Sequence, residues 1–211
     1  MRHIPHLVVG APWEGTTIAL SVVQWRHVTK VLRLRSGAEV SYTDGLGTIG
    51  SGVLRHQVIE RGEETVVERP SKLTVACAPP ASKDRQRFLV EKLAELGVSR
   101  LMWLDTAQGQ GHVANPSKVF SWVLAAVEQS RGAYLMETSL AAIKLTDLEG
   151  DLVVCHPGGD PDPGDADVLA VGPEGGFSEG EIPDSARLWD LGPNVLRVET
   201  AALVAAARLI A

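Results

Sequence analysis

The rhythm of apolar and polar positions changes near residue 70. Before that point the apolar runs are short. Leu7-Val8-Val9 is one, and Glu39-Val40-Ser41-Tyr42 alternates until it meets the turn pair Asp44-Gly45. Residues 47–60 alternate loosely, and Thr65-Val66-Val67-Glu68 completes the set. Strands this short expose edges unless they close on themselves, so the pattern predicts a small β-barrel over residues 1–70. Within it, Val28, Val31 and Leu32 repeat at helical spacing and predict one or two amphipathic turns leading into Gly37.

Glu68-Arg69-Pro70-Ser71 is a polar, proline-containing linker, and residues 71–211 form a second domain of another kind. Residues 73–78, 100–104, 152–155, 168–171 and 187–191 are apolar runs without polar alternation, the pattern of buried strands. A helix is predicted over 84–96, with Asp84 at its cap, Phe88, Leu89, Leu93 and Leu96 as its apolar stripe, and Gly97 at its end. A second starts at Asn115-Pro116, buries Val119, Phe120, Val123, Ala126 and Val127, and stops at Gly132. Ser178 and Glu181 have capping-box spacing and predict a helix just after Gly175-Gly176; another follows Leu196. Buried strands separated by helices predict a mostly parallel sheet covered on both faces.

Composition fits a folded chain, with 45% hydrophobic and 22% charged residues. The net charge of −6 argues at first against a nucleic-acid partner, but its distribution does not. Residues 1–70 hold 8 Lys/Arg against 7 Asp/Glu, whereas residues 71–211 hold 12 against 19. A nucleic acid would therefore be met by the front of the chain. On the predicted turns Arg26, Lys30 and Arg33 share one face beside Trp25 and His27, either a patch for phosphate contacts or a solvated helix face. Cys77 and Cys155 lie in apolar runs and read as free thiols of a reducing compartment, and no metal-ligand spacing is present. No run reaches the length of a membrane span, and Met1-Arg2-His3-Ile4-Pro5 lacks a signal-peptide core, so the expected location is the cytoplasm.

Candidate chemistry gathers in the last quarter. Gly172-Pro173-Glu174-Gly175-Gly176-Phe177-Ser178 follows one predicted strand, and Leu191-Gly192-Pro193-Asn194-Val195-Leu196-Arg197 follows the next. His156-Pro157-Gly158-Gly159 is a third such stretch. Loops at the carboxyl ends of adjacent strands are where an open α/β sheet binds its small molecule, although glycine and proline also mark ordinary turns. No G-x-S-x-G elbow, Walker pattern or G-x-G-x-x-G fingerprint is present. Glu179 and Glu181 open the predicted helix after Gly176, and acids there repel phosphate. A ligand with a cationic or neutral centre suits the loops better.

Five ordered blocks carry a resemblance. His27-x-x-x-Val31-Leu32-Arg33, Glu91-Lys92-Leu93-Ala94-Glu95-Leu96-Gly97-Val98, Glu128-Gln129-Ser130, the Gly172 loop, and Leu191-Gly192-Pro193 through Leu196-Arg197-x-Glu199-Thr200-Ala201 stand in this order. The chain resembles the RsmE family of ribosomal RNA methyltransferases in the SPOUT superfamily, from about His27 to its end. The resemblance implies a PUA-like β-barrel followed by an α/β domain with a C-terminal trefoil knot, which topology rules alone exclude by default. It also implies a homodimer, S-adenosylmethionine as donor, and methylation of N3 of one uridine near the decoding centre of small-subunit RNA; free RNA and the assembled small ribosomal subunit both stay open as the substrate, and no metal is expected.

By this resemblance the cofactor lies among His156, Pro157, Gly172, Glu174, Gly175, Gly176, Leu191, Gly192, Val195, Leu196 and Arg197. Adenine is expected against Leu191, Val195 and Leu196. Arg197 is assigned to steady charge developing on the base. Glu199 is assigned to accept a proton or to orient the ribose or Arg197; a salt bridge between the two, holding the loop, is the other reading. Arg2, Arg26, Lys30, Arg33 and Arg131 are the candidates for RNA contact, with Trp25 either stacked on a base or packed. The chain departs from the family at Asn194 and His6, where arginine is usual, and at Thr106-Ala107-Gln108-Gly109-Gln110, where a Glu-Arg-Ser-type stretch is usual. Two rival functions stay open: a SPOUT enzyme with another RNA target, and a non-catalytic RNA-binding or assembly factor.

Overall fold

The structure, a computed structural model, describes residues 4–211. It divides into two compact units, one made of the described part of Met1–Arg69 together with Val127–Leu135, the other of Pro70–Ala126 and Met136–Ala211.

In the first unit β1 (His6–Val8), β2 (Thr17–Ala19), β3 (Glu39–Thr43), β4 (Thr48–Arg55) and β5 (Val58–Val66) form one sheet in the order β1-β3-β4-β5-β2. Only β1 and β3 pair in parallel. The sheet curls as a half-barrel rather than closing. Leu7, Val9, Ile18, Leu20, Val40, Tyr42, Leu54 and Ile59 fill its concave side. Trp13 meets Tyr42 edge-on, with centroids 5.1 Å apart, an arrangement that adds to simple area burial. Trp25 packs against this core as well.

The expected amphipathic turns are α1 (Val22–Arg26), which widens into a π-helical turn over His27–Val31. Ser21 and Gln24 form a reciprocal capping box at its start. The helix has ended by Arg33, whose φ of 55° lies in the left-handed region. Arg26, Lys30 and Arg33 are all exposed, but Arg33 leaves the helix and does not share a helical face with the other two.

His6 is buried. Its ring nitrogens lie 2.8 Å from Ser41 Oγ and 3.1 Å from the Gly132 carbonyl. Burial pushes its pKa below the ordinary imidazole value, with Arg131 acting in the same direction and the Gly132 carbonyl opposing. A neutral histidine therefore fastens β1 and β3 to a segment more than a hundred residues away. No sequence pattern announces such a partner.

The second unit contains β6 (Thr74–Cys77), β7 (Arg100–Leu104), β8 (Glu137–Ile143), β9 (Leu152–Asp160), β10 (Val168–Val171) and β11 (Arg187–Trp189). Their order is β11-β9-β10-β6-β7-β8, and every pairing is parallel. Strand β8 was not expected. On one face α4 (Val198–Ile210) packs on β10, on β6 and on α2 (Lys83–Glu95). Against the other lie Leu145, Leu148, Phe177 and Ile182.

Helix α2 starts at Lys83, with Ser82 rather than Asp84 at its N-cap position, and it exposes Phe88. The residue it buries instead is Gln86. Its amide donates to the Pro80 and His112 carbonyls and accepts the Ala114 N–H, so a polar side chain is fully satisfied inside. Helix α3 (Pro116–Ser130) begins as expected, with Asn115 Oδ1 accepting the Ser117 N–H at 2.9 Å, but Phe120 is exposed. Residues 177–186 form turns, not the expected helix. The carboxylate half of the capping box exists, since Glu181 Oε2 accepts the Ser178 N–H. Gly180 at φ +79 and Pro183 then stop helical propagation.

Candidate functional site

Strands β9, β10 and β11 run parallel, so their carboxyl ends emerge on one side of the sheet. Their following residues close around a cavity of about 430 Å³, within the roughly 300–1,000 Å³ usual for ligand sites. The first wall comes from β9, which continues as a strand through His156-Pro157-Gly158-Gly159 instead of ending in the expected loop. The second is the turn after β10. Gly172 is required there: a Cβ would stand 2.8 Å from the Phe177 ring, which folds back onto the core. Gly176 takes φ +75, open to glycine at little cost. The third wall follows β11, where Gly192 adopts φ +126 before the chain enters α4.

Asp190 joins two of these walls. One carboxylate oxygen accepts the Gly192 N–H at 2.9 Å and the other the Gly158 N–H at 3.1 Å. Those bonds, the one from Gly192 foremost, hold its pKa below the usual carboxylate value. Asp190 and Glu174 border the cavity, and among the described residues no lysine or arginine lines it. Such a wall repels phosphates and accepts a cation. Cys155 also borders the cavity, but burial pushes its thiol up to about 12 against a small opposing effect of Arg208, which leaves no thiolate for nucleophilic work.

A family model for the RNA methyltransferase domain matches residues 67–210. The chain belongs to that family. A ribosomal RNA small subunit methyltransferase E from Neisseria gonorrhoeae, solved bound to S-adenosyl methionine, is similar at 28% identity and a TM-score of 0.81, over 98% of this chain and 97% of that one. A Legionella pneumophila protein assigned as a methyltransferase, solved with S-adenosylmethionine, matches with a TM-score of 0.83 at 23% identity, over 99% and 97% of the two chains. A Porphyromonas gingivalis protein assigned as an rRNA-methyltransferase matches with 0.82 at 21%, over 98% and 97%. At these last two identities the likeness is one of fold. The family match and the Neisseria likeness place the chain among RsmE-type RNA methyltransferases of the SPOUT superfamily.

In this RNA methyltransferase, every residue assigned to the cofactor on sequence borders the cavity except Arg197. Arg197 is the N-cap residue of α4, with its side chain exposed, and no ion pair holds it among the described residues. The alternative salt bridge to Glu199 is thus not formed. Glu199 is buried in the first turn of α4, and the cation near it is Arg85, at 3.8 Å from its Oε2. That oxygen has no hydrogen-bond partner. Asp190 and Arg85 were missed on sequence. Asp190 is legible as a carboxylate two residues before a glycine turn, whereas nothing near Arg85 signals its partners.

Of the candidates for RNA contact, Arg2 lies outside the described residues. Arg26, Lys30, Arg33 and Arg131 are exposed and fall in the same compact unit. Arg131 also donates to the Ile4 carbonyl at 2.9 Å. Among the described residues no cluster could hold a metal ion, and no helix is long and apolar enough to cross a membrane.

Proposed function

We propose that this chain is an S-adenosylmethionine-dependent enzyme that methylates N3 of a uridine in small-subunit ribosomal RNA. The carrying observation is the cavity at the ends of β9, β10 and β11, walled by glycine-rich backbone and the carboxylates of Glu174 and Asp190, with no lysine or arginine lining it among the described residues. That donor set fits a sulfonium and not a nucleoside triphosphate. The likeness to the Neisseria enzyme over nearly all of both chains supports the same cofactor and substrate class.

When bound, S-adenosylmethionine supplies an electrophilic methyl group. The protein's own part is largely positional. Residues 172–176 and 191–196, with His156 and Pro157, hold the cofactor, with Leu191, Val195 and Leu196 as the apolar side for adenine. Glu199 Oε2, buried and without a donor, is the acceptor for the N3 proton that uridine must lose. Arg197, exposed at the α4 N-cap, meets the base and steadies its developing negative charge. Arg26, Lys30, Arg33 and Arg131 contact RNA phosphates, and the uridine leaves its stack to reach the cavity. A homodimer, a cytoplasmic location and a knotted C-terminal segment belong to the same reading.

The test is mass mapping of small-subunit RNA after incubation with enzyme and cofactor, as intact subunits and as naked RNA. A single new methyl on N3 of one uridine is expected. Methylation of another nucleotide or RNA would favour a different SPOUT target, and binding without methylation would favour an assembly factor.

A further inference from the structure

Arg85 lies in the first turn of α2 and does not border the cavity, yet it reaches two of the site's carboxylates. Its Nη1 donates to Glu174 Oε1 at 3.0 Å and stands 3.8 Å from Glu199 Oε2. Glu174 belongs to the turn after β10, and Glu199 to the first turn of α4. One guanidinium therefore ties together two segments that frame the cavity.

The two arms differ physically. The Glu174 carboxylate is 54% exposed, so solvent screens that pair even though it is hydrogen-bonded. The Glu199 side chain is only 8% exposed, where screening is weak and the longer separation still matters. At 3.8 Å the guanidinium compensates the Glu199 charge without supplying a hydrogen bond, and Oε2 stays without a donor. A buried carboxylate oxygen in that condition is costly unless a ligand completes it. Glu199 does not itself border the cavity, but its helix neighbours Val198 and Ala201 do, so it belongs to the helical turn that walls it.

We infer that Arg85 is a positioning residue of the methyl-transfer site. Through Glu174 it holds the β10 turn in the shape that receives the cofactor. Through Glu199 it keeps a charged carboxylate in place for a donor on the bound acceptor. This rests on the reading of the cavity as the S-adenosylmethionine site.

The two arms give separable kinetic signatures, measured as methyl transfer to small subunits lacking the modification, with cofactor varied. Glu174→Gln breaks only the loop arm and raises KM for S-adenosylmethionine about threefold to tenfold with kcat unchanged. Glu199→Gln lowers kcat about tenfold or more with KM near that of wild type. Arg85→Ala does both, and adding Glu174→Gln to it raises KM no further, because the shared interaction is already gone. Arg85→Lys returns a point charge and recovers part of kcat. If the alanine variant does not fold, Arg85→Gln repeats the test. An Arg85 variant with wild-type KM and kcat, or effects that multiply in the double variant, would overturn the inference. Calorimetric titration of the wild type with S-adenosylmethionine separates the two failures: no binding contradicts the reading of the cavity, whereas binding with independent Arg85 and Glu174 effects contradicts only the role of Arg85.

Discussion

Asp190 accepts the backbone N–H of Gly158 at 3.1 Å across a separation of 32 residues. Its other oxygen accepts Gly192, so one side chain stitches the end of β9 to the turn after β11. Both segments border the cavity, and the shape of the site depends on that stitch.

Asp190→Ala frees both amides and is expected to weaken S-adenosylmethionine binding about tenfold, the loss of one to two modest hydrogen bonds. The effect depends on pH. The folded pKa is depressed, so the stabilisation is present above the ordinary aspartate value of about 3.9 and is lost as pH falls through the lower folded value. Denaturant unfolding of wild type and variant should show a gap near neutrality that closes in acid.

His6 gives a second pH dependence in a different window. Burial lowers its folded pKa, so the unfolded chain takes up the proton first. Stability is full above about 6.5 and falls as pH drops through the depressed folded value. His6→Asn, which is expected to keep one hydrogen bond and lose the titration, should flatten urea unfolding free energy between about pH 5 and 7.

Gly192 at φ +126 has nothing within 4 Å of a built Cβ, so Gly192→Ala acts through backbone strain and not through a clash. The expected cost is about 1–3 kcal/mol, met by a rearranged turn. Cofactor affinity should fall about tenfold while the melting temperature drops by roughly 2–12 °C, in proportion to that cost. A variant with unchanged affinity would remove this turn from the site.

Much of the cavity's lining was legible because glycine and proline loops follow apolar strands, and β7 and β10 have the bounds their apolar runs predict. The errors share a cause. Phe88 and Phe120 satisfy helical periodicity but face solvent, and Gln86 is buried because three backbone groups from distant loops satisfy it. The box at Ser178 and Glu181 makes its local bond, yet Gly180 and Pro183 decide the conformation beyond it. The partnerships of Arg85 with Glu174 and of His6 with Gly132 are tertiary, and one-dimensional patterns do not encode them.

On the RNA side, Arg26→Ala and Lys30→Ala remove side chains that make no hydrogen bond among the described residues. Each should weaken binding of small-subunit RNA about equally for all sequences and reduce the salt slope by about 1. Filter-binding titrations over a range of salt concentrations measure both. An unchanged slope in both variants would return this surface to a solvated face.

The central claim is that the walls at residues 156–157, 172–176 and 191–196 hold S-adenosylmethionine. Diffraction from crystals grown with S-adenosylmethionine tests it most directly. The account predicts density for the cofactor inside this cavity, with its sulfonium on the side of the carboxylates. Density elsewhere on the chain, with this cavity filled only by water, would contradict it.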